Sequence, residues 1–246
     1  EEIRRLHAAW RDSGLVGMMG FNQRAHPLMA RARSLIQSGT IGAPVMVQST
    51  FAAAARELPE WKKRRASGGG ALLDLASHHL DLIPWMLDSR ITEVSATLTS
   101  RLTNDDNAMV SYRLSSSLNA QVAVSMTGSE VDRVEIVGDE GILRVNRFAH
   151  RIDVLPARRP RTVSQRVRST LQALFQTPAQ VRAAFRAADD PSYALGLRCF
   201  ARAVRERIPV SPDFDDGLRN MLVLAAAAKS AMARGQFVVV DAIAEG

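Results

Sequence analysis

Three ionisable side chains on one apolar stretch are the first residues in this sequence that could do chemistry. They are Asp74, His78 and Asp81, in Gly68-Gly69-Gly70-Ala71-Leu72-Leu73-Asp74-Leu75-Ala76-Ser77-His78-His79-Leu80-Asp81. At 3.6 residues per turn, Asp74 and His78 lie about 40° apart around a helix axis, and Asp81 lies within about 20° of Asp74. A carboxylate beside an imidazole fixes its tautomer and raises its basicity, which suits a general base working on an alcohol. The plainer alternative is a satisfied core histidine with aspartates that cap neighbouring loops. His79 falls roughly 140° from Asp74 by the same geometry, a position for packing or surface. A metal held by Asp74, His78 and Asp81 is disfavoured, because i, i+4 and i+7 on one straight helix do not close a coordination sphere. Ser77 sits in no Gly-x-Ser-x-Gly elbow, so hydrolase chemistry has no support.

The elements that must position these groups follow from periodicity and punctuation. Ala71–Leu87 reads as a long helix entered through the triple glycine. Before it, Glu2–Ser13 has helical spacing and stops at Gly14, Leu15–Phe21 has the length of a strand, and Pro27 opens a helix that ends near Gly39. A half-buried strand is expected over Val45–Ala54. Five more follow the long helix, at Thr92–Thr99, Ala108–Leu114, Ala120–Met126, Arg133–Val137 and Ile142–Val145, with short polar turns between them. Consecutive strands on short turns predict an antiparallel meander. Arg147–Asp190 reads as irregular with one helix near Val163–Phe175. Helices at Ser192–Arg207 and Asp215–Arg234 and a strand at Phe237–Asp241 close the chain. The fold class is therefore α+β: an open, mostly antiparallel sheet covered on one face by helices.

Composition narrows the remaining classes. The chain has 246 residues, 46% hydrophobic content and a net charge of +7. Its lysines are Lys62, Lys63 and Lys229 alone, so the positive charge is nearly all arginine, concentrated between Arg147 and Arg168. Nucleic-acid readers interleave such charge with aromatic platforms, and Phe148 is the single aromatic there, so a solvated loop is the better reading. The longest apolar runs, Leu222–Ala228 and Phe237–Val240, fall far below the ~20 residues of a membrane span. One cysteine, Cys199, excludes an internal disulfide, and a cytoplasmic location is expected.

The stretch Gly68–His78 resembles the signature of the glucose–fructose oxidoreductase / inositol dehydrogenase (Gfo/Idh/MocA) family. Three further segments are similar to that family in order along the chain: Gly20-Phe21-Asn22-Gln23-Arg24-Ala25-His26-Pro27 with Gly39-Thr40-Ile41-Gly42, Ile136–Leu143, and Pro209 to Gly235. The resemblance implies a two-domain enzyme that uses NAD or NADP to move a hydride to or from a sugar or cyclic polyol hydroxyl. It implies that residues 1–42 are the tail of a nucleotide-binding (Rossmann) domain and 43–246 the C-terminal substrate-binding and oligomerisation domain. By position, His78 would take the hydroxyl proton and Asp74 would orient it or hold the hydroxyl. The family's lysine, in a Glu-Lys-Pro motif, and its Gly-x-Gly-x-x-Gly fingerprint have no counterpart here, which leaves the cofactor-binding residues unassigned. Asn22 and Arg24 match junction positions beside the active-site cleft, although Gln23 replaces a frequent arginine and capping of the second helix is the competing role. Asp81 completes the stripe. Trp61, followed by Lys62, Lys63 and Arg64, stands where a substrate loop would be, its neighbours' charges facing a sugar hydroxyl, an anionic group or water. A homo-oligomer built through a partly apolar open sheet face is expected. The contrasting expectation is a non-catalytic relative that uses that face as a binding module.

Overall fold

A computed structural model describes residues 2–57, 59–63, 67–157 and 190–241. The five α-helices among them are α1 (Glu2–Ser13), α2 (Pro27–Gln37), α3 (Ser77–Leu87), α4 (Ser192–Glu206) and α5 (Phe214–Met232). The strands are β1 (Pro44–Ala52), β2 (Ile91–Thr99), β3 (Asn107–Leu114), β4 (Asn119–Ser125), β5 (Val131–Gly138), β6 (Gly141–Asn146), β7 (Arg151–Pro156) and β8 (Val238–Val239). They form one open sheet in the order β7-β6-β5-β1-β4-β3-β2-β8.

Two meanders, β2-β3-β4 and β5-β6-β7, are each antiparallel throughout, as short polar turns require. Strand β1 lies between them, antiparallel to β5 and parallel to β4. The β1–β4 pairing joins segments some seventy residues apart in sequence, so no local turn signal announces it. Alternation sorts the two faces. Val47, Val94, Val110, Tyr112, Val122, Val134, Ile136, Leu143 and Val145 are buried, and they form a single core with residues of α2, α3 and α5. The opposite face carries Gln48, Thr50, Glu93, Arg113, Arg133 and Arg144 beside an exposed Met46 and Met109. It is thus more polar than expected, because the residues alternating with the core valines are mostly charged or amide-bearing.

Three expectations need correction. Leu15–Phe21 belongs to no sheet: no strand runs beside it among the described residues, and its Met19 N–H goes to the Pro212 carbonyl. The segment read as irregular begins with strand β7, because Ile152 and Val154 pair with β6. The helix entered at Ala71 opens with a π-turn over Leu72–Ala76 before α3. The helix expected at Val163–Phe175 lies outside the described residues. Among those residues no helix is long and apolar enough to cross a membrane.

Candidate functional site

Gly68 and Gly70 have positive φ, +91° and +94°, a conformation that L side chains resist. They let the chain turn directly into the helix, where the Ala71 N–H donates to the Asp105 carbonyl at 2.7 Å. A Cβ on Gly70 would meet that same carbonyl at 3.3 Å. This glycine-rich turn is therefore packed at Gly70 and Ala71 against the β2–β3 connection.

From this turn the helix carries its polar residues into separate surroundings. The Asp74 carboxylate accepts from the Lys62 Nζ at 2.6 Å, with both side chains about one-fifth exposed. Lys62 sits on a 3-10 turn at Glu60–Lys63. No hydrogen bond joins Asp74 to His78, although the Asp74 charge acts on the imidazole. His78 is largely enclosed, its Nδ1 is buried, and its ring meets Phe21 edge-on at 6.4 Å. Burial and then the neighbouring His79 hold the His78 pKa below its ordinary 6.5, outweighing the pull of Asp74. The imidazole is thereby neutral at physiological pH and competent to accept a proton.

Asp81 leaves the stripe. Its carboxylate takes Arg24 through Nε at 2.8 Å and Nη2 at 2.5 Å, and the same guanidinium also reaches Asp216 at 3.0 Å and the Ser211 hydroxyl at 3.1 Å. The Arg24 side chain is 9% exposed and that of Asp81 is 3%. Expected to face a substrate, these two residues face each other and tie α3 to the start of α5. Angular spacing misleads here because the π-turn over Leu72–Ala76 shifts the register between the two aspartates, and seven residues of helix span roughly 10 Å. Burial pushes the Asp81 pKa up to about 7 against Arg24.

Asn22 lies on the 3-10 turn Asn22–Ala25, and its amide donates to Ser192 Oγ at 2.6 Å. The capping role weighed for this junction falls to His26, whose Nδ1 accepts from the Leu28 N–H. Trp61 lies on the Glu60–Lys63 turn, and its side chain is outside the described ones. His79 is fully buried and stacks on Phe51, in keeping with a packing role. Its partner was missed by sequence reasoning: Nε2 lies 3.4 Å from Oδ1 of Asp132, which Arg147 holds through Oδ2 at 2.7 Å. The signal was present, since Asp132 shares strand parity with Val134 and Ile136 and must point into the core. A carboxylate there needs a partner. Among the described residues no group of three or more His, Cys, Asp or Glu could hold a metal.

The arrangement joins a neutral, enclosed imidazole to a lysine-paired carboxylate on one helix, behind a glycine turn on an open sheet. Residues 29–144 match the sequence profile of the GFO/IDH/MocA C-terminal domain. Over those residues the chain carries a Gfo/Idh/MocA C-terminal domain. It is 24% identical over 240 residues to scyllo-inositol 2-dehydrogenase (NAD(+)) of Bacillus subtilis, a match covering 92% of this chain and 64% of that protein. It is 25% identical over 155 residues to levoglucosan dehydrogenase of Pseudarthrobacter phenanthrenivorans, covering 61% of this chain and 37% of that one. The chain thus spans less than two thirds of the length of these relatives. Among solved structures, levoglucosan dehydrogenase in complex with NADH superposes with a TM-score of 0.80 at 22% identity, over 98% of this chain and 70% of that one. At that identity the likeness is one of fold.

Proposed function

We propose that the protein is an NAD(P)-dependent dehydrogenase of a cyclic polyol or sugar, with His78 as general base. The observation that carries the reading is the enclosed His78 imidazole, kept neutral by burial, one helical turn from the Asp74–Lys62 pair. Bound nicotinamide would supply the hydride acceptor or donor. His78 fits the reacting end of that cofactor, whereas the Gly68–Gly70 turn lacks the Gly-x-Gly-x-x-Gly spacing and, among the described residues, the strand before it that a pyrophosphate site uses. A relative named for NAD(+) and a structural neighbour bound to NADH favour NAD over NADP.

His78 takes the proton of the hydroxyl as the carbinol carbon is oxidised, and returns it in reduction. Asp74, fixed by Lys62, accepts a hydrogen bond from a neighbouring hydroxyl and sets the ring's orientation. Phe21 forms the wall against His78, and the neighbouring Asn22 is held by Ser192. Arg24 and Asp81 hold α3 against α5 and so support the wall. A second subunit against the open sheet face completes the cytoplasmic enzyme, and the polar character of that face favours a hydrogen-bonded, hydrated contact. The test is reduction of NAD by the full-length protein with scyllo-inositol, myo-inositol and levoglucosan. Turnover that His78→Ala abolishes supports the proposal, and a protein that binds NAD yet oxidises no member of a broad polyol and sugar panel refutes it.

A further inference from the structure

Six of the buried polar atoms without a hydrogen-bond partner gather in one place: Gln23 Oε1, His26 Nε2, His78 Nδ1, both ring nitrogens of His79, and Asp132 Oδ1. Within the same region Asp132, Arg147 and Asp190 form a chain of ionic contacts. Arg147 donates its Nε to Asp132 Oδ2 at 2.7 Å and its backbone N–H to the Asp132 carbonyl at 2.9 Å. Its Nη1 reaches Asp190 Oδ2 at 2.6 Å. The other oxygen of Asp190 accepts from the Ser192 N–H at 2.9 Å, and Ser192 Oγ accepts from Asn22. A path of polar contacts therefore runs from His79 on α3, whose Nε2 approaches Asp132 Oδ1 to 3.4 Å without hydrogen-bonding it, through β5 and the end of β6 to the turn carrying Asn22.

Burying Asp132 completely, with Arg147 largely enclosed and Asp190 at the rim, is a poor route to stability, because desolvation consumes most of the Coulomb gain. It is an effective way to fix geometry, since each partner tolerates one arrangement. The helix has a specific need for such an anchor. Its π-turn lies immediately before Ser77 and His78, and a π-turn that relaxes to α geometry rotates the residues on one side of it by roughly 100° relative to the other. Hydrogen bonds within the helix do not forbid that exchange. Contacts from outside must, and two are present: Asn220 donates to the Ser77 carbonyl at 2.9 Å, and Asp132 faces the ring of His79, which Phe51 clamps at a 5.4 Å centroid distance and a 16° tilt.

We infer that Asp132, locked by Arg147, is a positioning residue of this site: it holds the ring of His79 and, through the helix they share, fixes the direction in which His78 presents its imidazole. The inference rests on the reading of His78 as the base. The charged groups that face His78 are His79 and Asp74 on its own helix, and Arg147 and Asp132 from the sheet. Asp132 touches none of the reacting atoms; it positions the imidazole through His79, and its charge also acts on His78 across space.

The test uses the full-length protein. Asp132→Asn keeps the size and shape of the side chain and removes its charge. The expected result is a kcat lowered by about 10²-fold, the scale of a misplaced catalytic group, with the KM for NAD changed by less than about threefold. Arg147→Gln should reproduce it. A second readout needs no turnover: the His78 imidazole carbon–proton resonance can be assigned as the one lost in His78→Ala. In Asp132→Asn the His78 resonance should broaden or split as the helix samples two registers. A variant with a lower melting temperature but unchanged kcat per folded molecule and an unchanged His78 resonance overturns the inference. If Asp132→Asn does not fold, Arg147→Gln decides by the same two readouts. Failure of the underlying reading is separate, because then His78→Ala itself leaves kcat intact.

Discussion

The Asp74 carboxylate lies 2.6 Å from the ammonium of Lys62 and makes no hydrogen bond to the His78 imidazole four residues along its own helix. Lys62 reaches it from a loop turn, so the charge next to Asp74 comes from twelve residues away and across the glycine turn. If Asp74 orients a substrate hydroxyl, its rotamer is set by this lysine. Lys62→Met in the full-length enzyme should therefore lower kcat/KM for the polyol by about tenfold, equivalent to about 1.4 kcal/mol of transition-state stabilisation. The KM for NAD should stay within about twofold. Steady-state kinetics with both substrates varied would expose the opposite outcome, an unchanged kcat/KM, and reduce Lys62–Asp74 to a surface pair.

His78 and His79 are adjacent and chemically identical, yet their surroundings assign them different roles. His78→Ala should lower kcat by roughly 10²–10⁴-fold, the usual worth of a positioned acid–base group, with little change in cofactor affinity. Burial and His79 hold His78 below its ordinary 6.5, so it stays neutral to a lower pH than a free imidazole. The acid limb of the wild-type kcat/KM profile should accordingly fall below 6.5, and His78→Ala should lose that limb. His79→Ala removes a fully buried ring from the face of Phe51 and its contact with Asp132, so it should cost stability and also lower kcat by misplacing His78, while the acid limb of the profile remains. An acid limb at or above the ordinary imidazole value would contradict the burial argument.

Much of this fold was legible because alternation in β2 to β6 is regular and the turns between them are short and polar. The insertion of β1 between β4 and β5 was not, since parallel pairing across such a separation leaves no local mark. In the site, the helix and its two histidines were visible from spacing. The partners were hidden: Asp74 meets Lys62, Asp81 meets Arg24, and His79 meets Asp132, all contacts between elements remote in sequence. Angular spacing on a helix predicts which side chains share a face and says nothing about what the rest of the chain brings to each end of it. Asp132 is the exception, for its inward parity in β5 marked it as a buried charge in need of a partner.

Gly138 provides a sharp test of the packing between the first helical layer and the sheet. A Cβ there would fall 2.1 Å from the Ile41 carbonyl oxygen and 2.9 Å from the Ile41 carbonyl carbon. Backbone cannot move aside as the tip of a flexible side chain can, so the hairpin between β5 and β6 must shift away from the loop that follows α2. Gly138→Ala should cost about 3 kcal/mol or more, the upper range for overpacking. Urea unfolding measures this directly. A loss below about 1 kcal/mol would mean that the close approach of Ile41 is not maintained in solution.

Asp81 makes the stability of the protein depend on pH in an uncommon direction. One guanidinium, Arg24, serves two carboxylates, Asp81 and Asp216. Asp216 is drawn below the ordinary carboxylate value by Arg24 and Arg219 in spite of its burial, whereas burial drives Asp81 from 3.8 up to about 7. Between those two values the folded protein retains a proton that the unfolded chain has released, so folding takes up a proton there and the contribution of Asp81 to stability declines as pH rises. That contribution is complete below about pH 4 and is lost by about pH 7. The low carboxylates, Asp106, Asp132, Asp190, Asp215 and Asp216, act in the opposite sense, gaining stability as pH rises from the acid side. The clean observable is therefore a difference between proteins. Asp81→Asn cannot titrate but keeps an oxygen for Arg24, so relative to wild type it should be less stable near pH 4 and regain ground steadily toward pH 7, by on the order of 2–3 kcal/mol in all. Melting curves of both proteins across that interval decide it: a constant offset would show that Asp81 is ionised throughout, held by Arg24 as an ordinary buried ion pair.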